Sequence, residues 1–374
     1  NAAAPGTDRD FQNFGRPFAS EHPGAAGWWA FSGDLDGPVD EDDVLYAGDR
    51  LVLREGWPLP GVDAAVTAIP SLDGGRAMNA AGVLAAVVVT ESADGTAGEF
   101  VTVDGMPEAW TGQPVPDGRG DRYEGFAFVS VLDDGRVGFL AATDGPVNSD
   151  SVIVLDGRVL LRKGDPLPWD ESLRWDGAFD EVVWNGRGDL LFEGNTSGPS
   201  DRDRIMVIRE DHDSGPVYRI VAREDEAYMS EKGPVRLEIV QQASLSEQGH
   251  WALRVTLRDQ PASLDDAVID AGGLLIREGD PVVGIPDATV GRITAVAVDG
   301  SGRVASIVDL EGAPPEAVTQ AVMLGSCAVT ATGMGANGLP ADAWLAWMGF
   351  EDLAVRNDGT LIFTAGFGGS VAGD

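Results

Sequence analysis

A glycine followed by a short apolar segment recurs seven times along this chain, at intervals of 53 to 61 residues. Examples are "NAAGVLAAVVV" at 79–89 and "NGRGDLLFEG" at 185–194. The recurring glycines are Gly27, Gly82, Gly135, Gly188, Gly249, Gly302 and Gly359. Seven copies at a nearly fixed period indicate a repeat architecture, and this limits the possible folds more than any other feature of the sequence.

A second phrase keeps the same period. It reads "LVLREGWPLPG" at 51–61, "VLLRKGDPLP" at 159–168 and "LLIREGDPVVG" at 274–284. Its glycine, or the residue that replaces it, stands at Gly56, Gly112, Gly164, Asp225, Gly279 and near Gly335. A phrase used in repeat after repeat lacks the asymmetry of an active site, so we interpret it as a strand end where Gly and Pro start a turn. Its arginines, which we expect to pair with neighbouring carboxylates, are Arg54, Arg162, Arg223 and Arg277.

Each repeat is typical of four antiparallel strands. In the third repeat, apolar runs at 123–131, 137–142, 151–156 and 158–162 are separated by Asp- and Gly-containing turns. Four strands in about 55 residues predict an all-β fold, a β-propeller of four-stranded antiparallel blades. A β-helix would need shorter coils, and separate units of this size would hardly bury both faces of a sheet.

The repeat boundaries predict a single propeller domain over residues 1–374. The units are 20–61, 62–117, 118–169, 170–230, 231–284, 285–338 and a partial 339–374. We attribute the one long interval to a loop inserted at 209–217. The second phrase has no seventh copy, so we expect seven blades with the last incomplete or shared. The alternative is that the encoded protein continues beyond Asp374 and supplies the missing strands. An unpaired strand edge there would be a template for pairing with another strand.

The net charge of −35 narrows the range of partners. With 61 acidic and 26 basic residues, the chain repels phosphate backbones and anionic membrane surfaces, which excludes nucleic acid as a favoured partner. No apolar run reaches the length of about 18 residues that a transmembrane segment needs. The acidity is explained by a solvated surface, by divalent cation binding or by adaptation to salt. The one cysteine, Cys327, lies in an apolar segment and is expected to be a buried thiol.

The acidic run "SGDLDGPVDEDD" at 32–43 is the candidate metal site. Asp34, Asp36, Asp40 and Asp42 supply the hard oxygen ligands that Ca²⁺ prefers. Their spacing differs from that of the twelve-residue calcium loop, and a solvated loop is the alternative interpretation. The sequence predicts no other cofactor.

Three tryptophans near the Gly-Pro turns are candidate binding residues. Trp57, Trp110 and Trp169 lie where strands meet a rim, and exposed indoles there would stack on sugars. We expect most of the other tryptophans to pack between blades. The segment 342–352, "DAWLAWMGFED", predicts a short helix with both its tryptophans facing inward. We assign no catalytic residue, because 61 acids nominate no particular pair.

The glycine motif resembles that of a family of bacterial tandem-repeat proteins, the "choice-of-anchor" repeats named for an N-x-x-G-x-x-A-F motif. Asn79 and Asn185 match its asparagine, and Ala30-Phe31 matches its Ala-Phe. The resemblance implies an exported, propeller-like protein and assigns no catalytic residues. It covers roughly residues 20–370, and no sorting anchor is visible.

These observations favour an exported β-propeller, extracellular or on the cell surface, that is not an enzyme. It would act by binding or self-assembly through the open blade edge, with a protein partner or further copies of itself, and a filament or array is one expected product. Glycans are a second class of expected ligand. The alternative is a polysaccharide-active enzyme, a glycosidase or lyase, on the same scaffold.

Overall fold

The computed structural model describes residues 3–19, 29–70, 75–212, 214–230, 233–313, 318–335, 343–356 and 359–368. These residues form 29 β-strands and contain no helix. The strands group into seven small antiparallel sheets, which are the blades of a seven-bladed β-propeller. The predicted fold class is therefore confirmed.

The chain divides into two compact units. One comprises residues 1–198 and 207–219, and the other comprises residues 199–206 and 220–374. The first four sheets lie mostly in the first unit and the last three lie in the second. The interpretation of the whole chain as one domain stays a prediction.

The sheets of the first unit follow chain order almost without exception. The first has β1 (Phe11–Ala19), β2 (Trp29–Leu35), β3 (Asp43–Ala47) and β4 (Arg50–Arg54). The second has β5 (Ala64–Ala68), β6 (Arg76–Met78), β7 (Leu84–Ser92), β8 (Ala97–Val103) and β9 (Met106–Trp110), where β5 and β6 both pair with β7. The third has β10 (Tyr123–Val131), β11 (Val137–Thr143), β12 (Ser151–Leu155) and β13 (Arg158–Arg162). The fourth has β14 (Pro166–Leu167), β15 (Asp170–Trp184), β16 (Leu190–Thr196), β17 (Arg204–His212) and β18 (Gly215–Arg223).

The second unit continues the pattern and then shortens it. The fifth sheet has β19 (Ala227–Ser230), β20 (Gly233–Leu245), β21 (Trp251–Arg258), β22 (Asp266–Asp270) and β23 (Gly273–Arg277). The sixth has β24 (Thr289–Val298), β25 (Val304–Glu311), β26 (Gln320–Leu324) and β27 (Cys327–Ala331). The seventh has β28 (Trp344–Val355) and β29 (Leu361–Gly368).

The recurring glycine closes the same turn in six sheets. In the second sheet the amide of Gly82 donates to the carbonyl of Asn79, and the amide of Asn79 donates to the carbonyl of Val83. The glycine bond measures 2.8 to 3.0 Å in all six copies, which are closed by Gly82, Gly135, Gly188, Gly249, Gly302 and Gly359. Their φ angles lie between 78° and 96°, a region that glycine adopts at little cost. This backbone requirement explains the period of the sequence.

Neighbouring turns of this kind also contact each other. The side-chain amide of Asn79 donates to the carbonyl of Leu132 at 2.9 Å, and the amide of Ala80 donates to Asp133 Oδ1 at 3.0 Å. The Asn79 side chain is buried. Its Oδ1 accepts from the amides of Ala81 and Val83, which pairs two amides of its own turn. The motif asparagine therefore joins the second sheet to the third.

Apolar side chains pack between successive sheets. In the second unit, Ala295, Ile307 and Val322 of the sixth sheet form one cluster with Leu345 and Met348 of the seventh. Ile307 is completely buried there. Strand residues alternate between two faces, so each sheet can bury one face against each neighbour.

The structure corrects three local expectations. The segment predicted as a helix at 342–352 contributes instead to strand β28. The interval at 209–217 is not an inserted loop, because most of it extends the hairpin formed by β17 and β18. Cys327 is exposed at the start of β27, where it was expected to be buried.

Candidate functional site

The second recurring phrase forms a turn that links each sheet to the next strand of the chain. In its first copy the amide of Gly56 donates to the carbonyl of Val66 at 2.8 Å, and the amide of Val66 donates to the carbonyl of Trp57 at 2.8 Å. Equivalent bonds recur in five further copies, at Gly112, Gly164, Asp225, Gly279 and Gly333. The interpretation as a strand end and turn is confirmed. The sixth copy, expected near Gly335, uses Gly333, with φ +79°.

The residue before this glycine accepts hydrogen bonds from main-chain amides at the start of an earlier strand of the same sheet. Glu278 Oε2 accepts from the amides of Asp265 and Asp266 at 2.9 and 3.0 Å, and burial raises the pKa of this carboxyl. In the sixth sheet the hydroxyl of Thr332 takes the same place, and it accepts from two amides at 2.7 and 3.1 Å. The acidic position of the phrase is therefore structural.

The arginine of the phrase forms ion pairs, as expected, in at least two copies. The Arg162 side chain is fully buried, with Nη1 2.6 Å from Asp121 Oδ2 and Nε 2.9 Å from Asp117 Oδ2. Arg54 Nη2 lies 3.7 Å from Glu41 Oε2. Two carboxylates already pair with the one charge of this buried guanidinium. The arginine therefore serves packing and register.

The four predicted calcium ligands do not converge on one point. Asp36 Oδ1 accepts from the amide of Asp10 at 2.9 Å, and Asp34 accepts from Asn13 at 3.3 Å. In the part of the chain that the structure describes, no three His, Cys, Asp or Glu side chains are grouped so that they could hold a metal ion. The predicted site at Asp34, Asp36, Asp40 and Asp42 thus gains no geometric support.

The same segment does bring two carboxyl groups together. Asp34 and Asp43 are opposite each other in the register of β2 and β3. Burial raises the pKa of Asp43, and the charge of Asp34 raises it further.

The three candidate tryptophans are exposed, as the sugar-stacking hypothesis requires. Trp57 lies under the Arg54 guanidinium, 5.9 Å from its ring centroid. Trp169 is held edge-on against Trp175 at 5.7 Å. Trp110 ends β9, in the place that arginine takes in other copies of the phrase. Among the described rings, none of these three stacks on another, so they do not form one platform.

The tryptophans as a set are less buried than expected. Of the nine whose side chains the structure describes, three are buried, namely Trp175, Trp184 and Trp251. Trp344 and Trp347, predicted to face inward, are 44% and 51% exposed. Their indoles lie over Gly368 and Gly366 of β29, where an added Cβ would collide with them.

The seventh sheet carries the largest departure from the repeat. In the other six sheets, the strand that corresponds to β29 is hydrogen-bonded on both sides; these strands are β2, β7, β11, β16, β21 and β25. Among the described residues, β29 pairs with β28 alone. Its residues are half-buried, except Phe367, which is exposed. Within the described ranges the seventh sheet therefore ends at β29, and this strand, Trp344 and Trp347 form the candidate binding surface.

The seven sheets define the class, a seven-bladed β-propeller, whose last sheet has two strands among the described residues. The chain belongs to a family of unknown function, DUF7453, whose model matches residues 108–373. That match does not identify the choice-of-anchor repeats in particular. Within the described ranges, no helical segment is long and apolar enough to cross a bilayer.

Comparison with solved structures finds a distant likeness. A gluconolactonase from Xanthomonas campestris shares 12% identity with this chain, with a TM-score of 0.33, over 87% of this chain and 97% of that one. At this TM-score the likeness carries no argument about activity. No curated protein sequence matches the chain.

Proposed function

We propose that this protein is a non-catalytic binding protein whose seventh sheet accepts a β-strand or hairpin from another polypeptide. The observation that supports the proposal is that β29 pairs with β28 alone among the described residues, whereas the equivalent strand of the other six sheets has a neighbour on both sides. A free edge presents amides and carbonyls that another strand can satisfy, and this mode of recognition takes its affinity from main-chain hydrogen bonds.

The two faces of β29 are suited to a further strand. Leu361, Phe363 and Ala365 face the cluster shared with the sixth sheet and are only partly covered. An added strand would extend that apolar face, as β26 does next to β25 in the sixth sheet. Burial of apolar area would add to the backbone hydrogen bonds, at about 25 cal/mol per Å².

We place this activity outside the cell, at the bacterial surface or in the surrounding medium. The support is the resemblance of the repeats to exported proteins. Antibody detection in fractions of the source cells tests the location, and a signal confined to the cytoplasm would contradict it. The net charge of −35 disfavours nucleic acid and favours neutral or basic partners.

A peptide that copies an outer hairpin of this chain tests the function directly. The probe is the segment 320–333 with serine in place of Cys327, added to dilute full-length protein. We expect it to slow hydrogen exchange in 361–368 and to change the fluorescence of Trp344 and Trp347, because it would occupy the edge next to them. A scrambled peptide of the same composition is the control.

Two results would contradict the proposal. One is equal binding of the probe and its scrambled control. The other is binding that leaves exchange in 361–368 unchanged, because the peptide would then occupy another surface. A Thr364→Lys variant, with a charge in the centre of the edge strand, is expected to weaken probe binding at least about tenfold.

A further inference from the structure

One copy of the second phrase departs from the other five. It reads "REDE" at 223–226, so Asp225 holds the position that glycine holds in the other copies. Its φ is +61°, in the left-handed region that is unfavourable for residues other than glycine. Two residues later, Ala227 stands where four of the other copies have proline. A specific binding site needs asymmetry within a repeat, and this copy supplies it.

The loss of proline allows a hairpin to form at this copy. Strands β19 and β20 pair over four positions, from Ala227 opposite Arg236 to Ser230 opposite Gly233. Proline has no amide hydrogen, and copies that contain it make only a short contact, such as the single bridge between Pro58 and Ala65. Residues directly opposite each other share a face of a hairpin. The exposed face here consists of Ala227, Met229, Pro234 and Arg236.

Three arginines surround the carboxylate of Asp225. Arg236 Nη1 lies 2.8 Å and Arg202 Nη2 lies 3.5 Å from Asp225 Oδ2. Arg258 Nη1 lies 3.7 Å from Oδ1 of the same carboxylate, and Arg258 also donates to Glu224. All five residues belong to the second compact unit. Attraction to three guanidinium groups favours an aspartate at this position in spite of its backbone conformation.

The acids of this cluster are more deeply buried than the arginines. The side chains of Asp225 and Glu224 are 15% and 11% exposed, whereas those of Arg202 and Arg236 are 58% and 50% exposed. The guanidinium groups therefore face solvent above their own counterions. Because these counterions hold the arginines in place, a ligand that binds them immobilises few further rotamers. Arg162 is the contrast, since its side chain is fully buried between its carboxylates.

We propose that this hairpin and its arginines bind an acidic peptide. A carboxylate of the peptide binds Arg202 and Arg236, because a guanidinium group can donate two parallel hydrogen bonds to a carboxylate. Apolar side chains of the peptide cover Met229. An extended peptide can lie along the exposed face of a hairpin, whereas small organic acids bind in concave sites. The site uses no residue of β29, so it goes beyond the proposed function.

The hairpin sets the spacing of the peptide's side chains. Met229 lies two residues along β19 from Ala227, and Ala227 is opposite Arg236. In an extended peptide, side chains two residues apart also share a face and are separated by about 6.6 Å. The peptide that fits has apolar residues two positions before and after its acidic residue. A polyanion such as nucleic acid does not fit, because the net charge of −35 repels it.

Fluorescence anisotropy of a labelled peptide tests this site in the full-length chain. The probe has a central glutamate, valines two residues before and after it, threonine at the other positions and blocked ends. The control peptide has glutamine in place of glutamate. We expect the glutamate probe to bind at least about tenfold more tightly than the control, since only its side chain pairs as an ion with the arginines.

Variants of the chain locate the binding. Arg202→Gln and Arg236→Gln should each weaken it about tenfold, and Met229→Ser about threefold. The matched control is Arg50→Gln, because Arg50 is also half-exposed and also lies 2.8 Å from an aspartate, Asp104. Arg50→Gln should leave binding unchanged. Urea denaturation checks that each variant is folded.

Three results would overturn the inference. The first is equal binding of the glutamate and glutamine probes, or no binding of either at millimolar concentration. The second is an equal loss of binding in Arg50→Gln and Arg236→Gln, which would mean that any exposed arginine suffices. The third is displacement of the probe by a galacturonic acid oligomer that binds more tightly, since the ligand would then be a sugar acid. The exchange measurement on 361–368 tests the proposed function separately, and none of these results changes it.

Discussion

In the sixth sheet, β25 lies between β24 and β26, and its first five residues are buried. In the seventh sheet, β29 follows the same glycine turn but has one described neighbour, and its residues are half-buried. The two strands begin alike and differ in what covers them. The outer hairpin of a blade therefore does more than extend the sheet, because it also completes the burial of the strand inside it.

The largest expected effect comes from removing the same side chain in both strands. Ile307→Ala in β25 should lower the free energy of unfolding by about 3 kcal/mol, since Ile307 is fully buried. Ile362→Ala in β29 should cost less than about 1 kcal/mol, because the side chain remains half-exposed. Urea denaturation of dilute protein measures both. Equal losses would show that the two strands are covered equally and would remove the basis of the comparison.

A second pair of variants compares the turns that precede these strands. Gly302 and Gly359 have φ of +82° and +86°, so alanine at either position costs about 1–2 kcal/mol locally. We expect the full loss for Gly302→Ala in global unfolding and a smaller one for Gly359→Ala, since the seventh sheet can open by itself. Gly325→Asn is the control, because its surroundings are open and asparagine tolerates positive φ. Identical losses at Gly302 and Gly359 would mean that both sheets unfold together.

The smallest effect concerns the hydrogen bonds that Glu278 and Thr332 accept from main-chain amides in their sheets. Burial raises the pKa of Glu278 above its ordinary value of 4.5, while Thr332 does the same task without titrating. A raised pKa means that the folded state holds the proton more tightly, so this contribution is full below pH 4.5 and is lost as pH rises through the folded pKa. In Glu278→Thr this pH-dependent loss of stability, which is less than about 1 kcal/mol, should be absent.

Denaturation of wild type and Glu278→Thr from pH 4 to pH 7 provides the measurement. The difference in stability should move in favour of the variant as pH rises. A constant difference across this range would show that Glu278 titrates normally in the folded protein. Glu311, which is exposed on the sixth sheet, is the matched site for a Glu→Thr control.

The sequence predicted the repeat well because backbone geometry imposes it. A turn that needs positive φ selects glycine at Gly82, Gly135 and their equivalents, and this selection is visible without any structure. The phrase around Gly56 was likewise predictable as a turn. At its sixth copy, Gly333 and Gly335 lie in one glycine-rich segment, and only the hydrogen bond to Leu345 distinguishes them.

The candidate site was less accessible to sequence reasoning. Trp344 and Trp347 are three residues apart, a spacing that places side chains on one face of a helix. A register shift between Leu345 and Trp347 places them on one face of a strand instead. The Asp34–Asp43 contact depends on the register of β2 and β3 across a loop, which no local pattern reveals. Only the missing copy of the second phrase gave a signal that the seventh sheet would differ from the others.

The same main-chain bonds close the turn that links each sheet to the next strand in all six described copies. Asp225 replaces its glycine in one copy, Trp110 replaces its arginine in another, and Thr332 replaces its glutamate in a third, yet the bonds persist. A joint of this kind lets duplicated segments diverge in sequence while they keep their connection. A lineage built on it can gain or lose a blade, or recruit one from another gene, without having to evolve a new junction.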